Sequence, residues 1–140
     1  IFIVLELNIN FNFIDELLPI KDCIHLKKLW ANNNQITTIK WLKNLLNLSN
    51  HFLFYRVLDL YSNKIKNLNE TIQILKPIKN LKELDLEKNN CTRVFSYKYD
   101  ILINLKLKRF DGEDVNENEL EISKKFKNQF DNYQKKNDRP

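Results

Sequence analysis

The chain is predicted to be an α/β solenoid, with a parallel sheet on its concave face and short helices or turns on its convex face. Two observations carry this prediction. A Leu-x-Leu-x-x-Asn phrase recurs along the 140 residues, and successive strands start 29 and then 26 residues apart. Such spacings are close to the roughly 20–29 residues of one strand-plus-return unit. No single unit of this size can bury its apolar face, so the units must stack. We expect a right-handed coil closed by a C-terminal cap.

The phrase occurs in four copies of decreasing clarity. Leu58–Ile65 and Leu84–Cys91 are clear, Leu29–Ile36 is weaker, and Leu5–Asn10 is faint. In each copy the leucines alternate with other residues, as in a strand with one buried face. Strands are therefore predicted near residues 3–8, 27–31, 56–60 and 82–86.

The opening segment, residues 1–13, alternates throughout and is predicted to bury one face. Its odd-numbered residues would form that face: Ile1, Ile3, Leu5, Leu7, Ile9, Phe11 and Phe13. A leading strand this apolar leaves an open end of the solenoid, which is an aggregation hazard unless it is covered. We expect upstream residues or a partner to cover it. The chain contains no methionine, so we expect that residue 1 is not the native start.

The asparagines that close the phrase are Asn34, Asn63 and Asn89. After each strand the chain must turn and leave backbone N–H and C=O groups inside. An amide side chain carries both a donor and an acceptor and can satisfy them. The register with the leucines holds three times, which favours an internal asparagine ladder over surface residues in an asparagine-rich chain.

The domain organisation follows from where the repeats stop. Residues 1–112 are predicted to form the repeat domain, with a cap over residues 96–112, and residues 113–140 a partly helical extension with a frayed end. A weakly amphipathic helix is predicted over residues 117–135, and Asn116 with Glu119 resembles its capping box. The apolar insert at residues 49–54 has no predicted role. The apolar side chains of the predicted helix are Leu120, Ile122, Phe126 and Phe130.

Composition limits the function classes. The net charge is +5 and the pI about 9.1, but the lysines are scattered and no aromatic-glycine motif accompanies them, so a dedicated nucleic-acid surface is not favoured. No apolar run reaches the roughly 18 residues of a membrane span. The cysteines, Cys23 and Cys91, are too few for a disulfide framework and indicate an intracellular setting, in the nucleus or in the cytoplasm or cytoskeleton.

The sequence lacks a recognisable enzyme motif. A single glycine, Gly112, excludes phosphate- and dinucleotide-binding loops. Cys23 and His25 form a weak metal hint without a second pair of ligands, and Cys91 fills an inward position of its repeat. We predict no catalytic residues, metal, cofactor or small-molecule substrate.

A partner-binding surface can be placed on the concave face, because residues between the phrase's leucines alternate outward. Trp30 and Tyr61 are predicted to anchor a protein partner. The acidic side of the concave face would favour a basic peptide or helix. Trp41 lies outside the strand register and is predicted to pack on the convex side. The predicted surface comprises Lys28, Trp30, Asn32, Val57, Asp59, Tyr61, Glu83, Asp85 and Glu87, with Glu6 on the first strand.

Residues 26–125 resemble the short intracellular leucine-rich-repeat proteins. That subfamily includes a nuclear regulatory subunit of protein phosphatase 1, the A-prime protein of the U2 snRNP, the acidic nuclear phosphoproteins and an axonemal dynein light chain. Its cap motif reads Tyr-Arg, an aliphatic residue, Leu-Pro and Leu-Asp-Gly. Here the proline is absent, and the matching residues are Tyr97, Lys98, Ile101, Leu105, Phe110, Asp111 and Gly112.

The resemblance implies a non-enzymatic protein-interaction module and leaves the subfamily open. A splicing subunit like the A-prime protein, a nuclear regulator like the acidic phosphoproteins and a cytoskeletal adaptor like the dynein light chain are alternatives. The spacing from Asp111 through Val115 to Glu119 is most similar to the dynein light chain. Residues 113–140 mix seven acidic with six basic residues, unlike the long acidic tail of the nuclear phosphoproteins.

Overall fold

The computed structural model describes residues 3–43 and 55–137, and within them six short strands form one sheet in chain order. The first five run parallel, one from each successive repeat, and the sixth returns antiparallel to the fifth. The apolar insert at residues 49–54, the first two residues, and residues 138–140 of the end predicted to be frayed lie outside this part. The strands are β1 (Glu6–Asn8), β2 (Lys28–Trp30), β3 (Val57–Asp59), β4 (Glu83–Asp85), β5 (Arg109–Phe110) and β6 (Glu113–Asp114).

A column of apolar side chains runs across the inner face of the sheet. The strand registers place Leu7, Leu29, Leu58, Leu84 and Phe110 side by side. All of these except Leu7 are at most 3% exposed. Burying one such side chain contributes about 1.5–3 kcal/mol, and the residues before and after it must then point to the opposite face.

The returns between the strands are helical. Two 3-10 helices (Leu18–Asp22 and Asn90–Arg93), helical residues 40–43 and helix α1 (Leu68–Leu75) fill these positions. Helix α1 begins where the Asn67 side chain accepts a hydrogen bond from Glu70 N at 2.9 Å. Its buried residues recur at helical spacing and turn one broad stripe toward the core: Leu68, Thr71, Ile72, Ile74 and Leu75.

The C-terminal part consists of α2 (Tyr97–Asn104), the β5–β6 hairpin and α3 (Glu117–Asn137). Helix α3 begins where Asn116 Oδ1 accepts from Glu119 N at 2.9 Å. It packs on α2 through Tyr99 and Phe126, whose ring centroids are 4.0 Å apart. Ile122, which the sequence places among the apolar side chains of this helix, is 47% exposed, whereas Ser123 is 2% exposed.

The predictions for the first repeat were wrong in two respects. Leu7 pairs with Leu29, so the first copy of the phrase is Leu7–Asn12 and the predicted Leu5–Asn10 is displaced by two residues. The predicted buried face is also largely exposed, because the strand spans only three residues and the chain turns at Phe11, where φ is 56°. The exposed fractions are 60% for Ile3, 44% for Leu5, 77% for Phe11 and 90% for Phe13.

Candidate functional site

An asparagine ladder fixes the edge of the sheet where the strands end. Asn34, Asn63 and Asn89 are 4–8% exposed, and each side chain joins two repeats. Asn63 Oδ1 accepts from Ile36 N at 3.0 Å, and its Nδ2 donates to Ala31 O at 2.9 Å, both in the preceding repeat. The other two asparagines make the equivalent bonds. These side chains are therefore structural, and they orient the residues that precede them.

A left-handed backbone residue precedes each ladder position. The positive φ lets the chain leave the sheet abruptly, so the strand side chains stay in register up to the turn. Polar residues occupy this position in three repeats, whereas the first repeat has a phenylalanine. The residues and their φ angles are Phe11 (56°), Asn33 (54°), Ser62 (52°) and Lys88 (57°).

The sheet face opposite the buried column, called the open face here, carries the predicted binding residues in three rows. The residues of the first two rows are paired in register across the strands, and those of the third follow the strand ends. The first row is Glu6, Lys28, Val57, Glu83 and Arg109. The second is Asn8, Trp30, Asp59 and Asp85. The third contains Asn32, Tyr61 and Glu87.

A shallow depression of about 320 Å³ lies in the middle of the open face. Trp30 forms one wall, and carboxylates from β3 and β4 form much of the rest. Arg109 and Gly112 of the hairpin border it although neither was predicted there. Aligning Arg109-Phe110 with Glu83-Leu84 would have found the arginine. The lining comprises Trp30, Val57, Leu58, Asp59, Glu83, Leu84, Asp85, Arg109 and Gly112.

Hydrogen bonds hold the two central carboxylates in place. Asp59 accepts from Asn32 Nδ2 at 2.6 Å and from Tyr61 N at 3.0 Å, through different oxygens. Asp85 Oδ1 accepts from Glu87 N at 3.0 Å. Each carboxylate thus keeps part of its acceptor capacity for a ligand, because an ionised carboxylate offers about four lone-pair sites.

The cations of the open face already have partners. Lys28 Nζ lies 2.7 Å from Glu6 Oε1 and 5.8 Å from the centroid of the Trp30 ring. The Arg109 guanidinium donates to Gly112 O at 3.0 Å. Against these two cations stand six carboxylates: those of Glu6, Asp59, Glu83, Asp85 and Glu87, and that of Asp114, which pairs with Arg109 in the sheet. The open face is therefore net acidic on a chain whose formal charge is +5.

The Tyr61 ring is in contact with a lysine ammonium. Lys88 Nζ, on the turn of the next repeat, lies 5.0 Å from the centroid of the Tyr61 ring. Its contact with Tyr61 raises the pKa of the Lys88 ammonium. One face of this predicted anchor is consequently occupied, whereas Trp30 borders the depression directly.

Asp85 is the most perturbed acid of the open face. Partial burial raises its pKa to about 6, and the neighbouring carboxylates of Asp111, Asp59 and Glu87 act in the same direction. The hydrogen bond from Glu87 N opposes the shift. A cation placed among these carboxylates would relieve their mutual repulsion, so the site electrostatically favours a positive ligand.

The residues predicted for the cap meet at the end of the sheet. The Tyr97 hydroxyl donates to Asp111 Oδ2 at 3.0 Å, while Asp111 Oδ1 accepts from Leu86 N at 2.9 Å. The rings of Tyr97 and Phe110 lie 5.5 Å apart, and Gly112 turns the hairpin at a φ of 79°. Burial raises the pKa of Asp111. These contacts seal the last repeat and close the acidic side of the open face.

Salt bridges tie the cap to the hairpin and to α3. Lys98 Nζ lies 2.8 Å from Glu119 Oε1 and 3.5 Å from Glu113 Oε2. Glu119 therefore pairs with Lys98, whereas a full capping box would use its side chain on the backbone of Asn116.

The remaining candidate residues lie apart from the open face. Cys91 is buried, and burial raises its pKa to about 11, which suits a core position. Cys23 is half-buried and His25 exposed. Trp41 is buried in the helical return, 6.4 Å from the Tyr55 ring.

In residues 3–43 and 55–137 no three His, Cys, Asp or Glu side chains cluster in a way that could bind a metal ion. In the same part no helix is sufficiently long and apolar to span a bilayer.

This architecture defines the class: the fold is that of a leucine-rich-repeat solenoid, as the solved structures that resemble it show. A chain of the SNF/U2A' complex of Drosophila melanogaster superposes with a TM-score of 0.65 at 17% identity, over 86% of this chain and 67% of that one. A chain of the Chaetomium Mex67:Mtr2 structure gives 0.53 at 24% identity, over 66% and 57%. The internalin InlF of Listeria monocytogenes gives 0.53 at 21% identity, over 81% and 37%. No protein-family model and no curated protein matches the sequence.

Proposed function

We propose that the chain is a non-enzymatic protein-interaction module that binds a basic segment of another protein on its open face. The observation that carries the proposal is the depression between Trp30 and the carboxylates of Asp59 and Asp85. An aromatic wall beside paired acids suits a lysine or arginine side chain, which gains from ring stacking and from charge.

The charge distribution supports the same partner. The two cations of the open face are engaged by Glu6 and by Gly112 O, whereas Asp59 and Asp85 keep free acceptor sites. An acidic patch on a basic protein would also orient a basic segment during its approach. Trp30 would supply the apolar contact and the carboxylates would select charge.

Partner selection is the direct test. A random peptide display library would be panned on the full chain, and the affinities of selected peptides measured by fluorescence anisotropy. We expect selected peptides to be rich in lysine and arginine. Trp30→Ala and the double change Asp59→Asn/Asp85→Asn should each weaken binding at least about tenfold, which corresponds to about 1.4 kcal/mol.

The control variant removes the same charge elsewhere. Glu117 and Glu121 lie exposed on α3. Glu117→Gln/Glu121→Gln should leave the peptide affinity within about twofold, because salt screens interactions between distant exposed charges. Neutral or acidic selected peptides, or equal losses in both double variants, would contradict the proposal.

A second candidate function is a subunit of an RNA–protein assembly. The observation that favours it is the similarity to a chain of the SNF/U2A' complex, which extends over 86% of this chain. In that case RNA would be contacted mainly through a protein co-partner. Tight, salt-dependent binding of RNA by the isolated chain would favour a direct RNA-binding role, whereas RNA binding that appears only with the co-partner would favour the subunit role.

An intracellular location, in the nucleus or in the cytoplasm or cytoskeleton, is proposed on the cysteines. Cys23 and Cys91 are both free thiols, as is usual in a reducing compartment. Fractionation of cells expressing the full-length protein would test this, and secretion would contradict it.

A further inference from the structure

A row of cations marks the edge of the sheet where the strands begin. The residue immediately before each of the strands β2 to β5 is a lysine or an arginine. Backbone hydrogen bonds join these residues across the repeats. Arg56 N donates to Lys27 O at 2.7 Å. Lys82 N donates to Arg56 O at 2.9 Å, and Lys108 N donates to Lys82 O at 2.8 Å. The strand register therefore fixes the row, and the backbones of its members lie about 4.8 Å apart, as neighbouring strands do.

Three further lysines lie beside the later members of the row. They line a depression of about 290 Å³ between the returns that precede β4 and β5. Lys76 Nζ donates to Asn104 Oδ1 at 3.3 Å, and Lys79 Nζ donates to Lys76 O at 3.4 Å. Together the seven cations are called the basic edge here: Lys27, Arg56, Lys76, Lys79, Lys82, Lys106 and Lys108.

Carboxylates are absent from the segments that form the basic edge. Residues 23–28, 55–57, 76–82 and 104–109 contain no aspartate or glutamate. In the part of the chain that the structure describes, none of the seven cations forms a salt bridge, whereas Lys28 of the open face pairs with Glu6. The fold thus gathers cations that are scattered along the sequence and separates them from the acidic open face.

The basic edge suits a nucleic-acid backbone better than a protein or a membrane. Protein interfaces are anchored by aromatic and apolar side chains, and membrane-bound surfaces insert such side chains beside their cations. Here Tyr55 is 1% exposed, and the apolar residues of the depression, Ile78, Leu81 and Leu105, are 3–6% exposed. Binding of single-stranded bases also uses aromatic platforms. A duplex needs none, because its phosphates and its shape are contacted directly.

We propose that the basic edge binds the phosphate backbone of a double-stranded nucleic acid, independently of base sequence. The row of four cations covers about 14 Å, over which one strand of a duplex presents about four phosphates at about 3.4 Å each along the helix axis. The depression would hold one further phosphate. The proposal does not rest on the open-face function, because the two surfaces share no residue. It gives nucleic acid a direct contact with this chain, which composition alone did not favour.

The test measures binding of the full chain to a short fluorescein-labelled RNA duplex, and to a DNA duplex of the same sequence, by fluorescence anisotropy. We expect the logarithm of the association constant to fall against the logarithm of the salt concentration with a slope of about −4, because each neutralised phosphate contributes about −0.9. Replacing the whole row should weaken binding at least about tenfold at low salt and reduce the slope by about one per cation. That variant is Lys27→Gln/Arg56→Gln/Lys82→Gln/Lys108→Gln.

The matched control removes the same charge from the exposed side of α3, as Lys124→Gln/Lys125→Gln/Lys135→Gln/Lys136→Gln. It should bind within about threefold of the unmodified chain and keep the salt slope. A smaller variant, Lys79→Gln/Lys106→Gln, tests the depression and should reduce the slope by about one. Circular dichroism verifies that each variant is folded.

Binding of either duplex with this dependence on the row supports the proposal, and the tighter duplex identifies the source. Absence of binding at low salt would overturn it, as would equal losses in the two fourfold variants. Tighter binding to polyglutamate or to phosphatidylserine vesicles than to both duplexes would also overturn it. Trp30→Ala should leave duplex binding unchanged, and the row variant should still bind the basic peptide, so the two proposals can fail separately.

Discussion

Asn63 holds the turn of the repeat before its own, because its Oδ1 accepts a hydrogen bond from Ile36 N at 3.0 Å. Each turn is therefore completed by the following repeat. The strands hold their register because these bonds repeat, and the open-face residues of neighbouring strands consequently lie side by side. The geometry of the proposed binding surface therefore depends on asparagines at the edge of the sheet where the strands end.

Replacing a buried asparagine of the ladder should destabilise the folded protein. Asn63→Ala leaves Ile36 N and Ala31 O without their side-chain partner inside the protein. We expect a loss of about 3 kcal/mol in the free energy of unfolding, because each buried unsatisfied group costs about 1–3 kcal/mol. Urea unfolding followed by circular dichroism measures it. Asn12→Ala, at the exposed end of the same ladder, should cost less than about 1 kcal/mol; equal losses would show that burial does not set the cost.

The cap should depend on the phenolic hydroxyl of Tyr97. Tyr97→Phe removes the donor to Asp111 Oδ2 while keeping the ring contact with Phe110. We expect a loss of about 1.5–3 kcal/mol at neutral pH, since the acceptor is charged. Tyr133→Phe on α3, where the side chain is 65% exposed, should change the free energy of unfolding by less than about 0.5 kcal/mol. A neutral effect of Tyr97→Phe would place the cap's stability in its apolar contacts.

The ionised Asp85 side chain should lower the free energy of unfolding at neutral pH. Its folded-state pKa of about 6 lies above the ordinary 3.8, so between these values the folded state binds more protons than the unfolded state. Stability from this group therefore falls as pH rises from about 4 to 6. Asp85→Asn should stabilise the chain by about 1 kcal/mol at pH 7, a value discounted for solvent screening, and by nothing near pH 3. Asparagine can keep the turn, because Asn8 makes the same bond to Asn10 N.

Urea unfolding of Asp85→Asn at pH 3 and pH 7 measures the effect, with Glu83→Gln as an exposed control on the same strand. A variant that is less stable at pH 7 would contradict the assigned cause of the shift. The same variant should also bind the basic peptide more weakly, so stability and binding would change in opposite directions.

The attachment of α3 should depend on Phe126. This ring stacks on Tyr99 at 4.0 Å and lies 5.7 Å from Phe95. Because Phe126 is half-buried, Phe126→Ala should cost about 2 kcal/mol, less than at a core site, and release α3, whose lysines would then be cut early by trypsin. Ile122→Ala, at a position that is 47% exposed, should leave the digestion pattern unchanged. An intact α3 in the Phe126 variant would show that other contacts suffice to hold the helix, among them the salt bridges of Lys98 with Glu119 and of Lys127 with Asp100.

The repeat architecture could be predicted because leucines and asparagines report buried positions directly. Leu29, Leu58 and Leu84 fall in one register, as their phrase predicted. The first repeat was misaligned because residues 1–13 alternate throughout, so the Leu5 and Leu7 registers look equally good. Only the left-handed turn at Phe11 separates them, and a phenylalanine gives no signal for such a turn.

The open face was less predictable than the core. Its rows follow from the strand register, but Arg109 belongs to a two-residue strand without the phrase. The pairing of Lys28 with Glu6, and of Tyr61 with Lys88, depends on side-chain geometry across repeats. Those contacts decide which carboxylates remain free to bind a ligand. The alternation of apolar and polar residues along a strand does not predict them.

Mapping the binding site of a selected basic peptide by NMR tests the central claim most directly. Amide and indole shifts of the isotope-labelled full chain would be followed during titration at pH 7. We predict the largest changes at the Trp30 indole and at the amides of β3 and β4, with binding weakening as pH falls below about 6 and Asp85 protonates. Changes confined to α3, or to the end of the sheet around Phe11, would contradict binding on the open face.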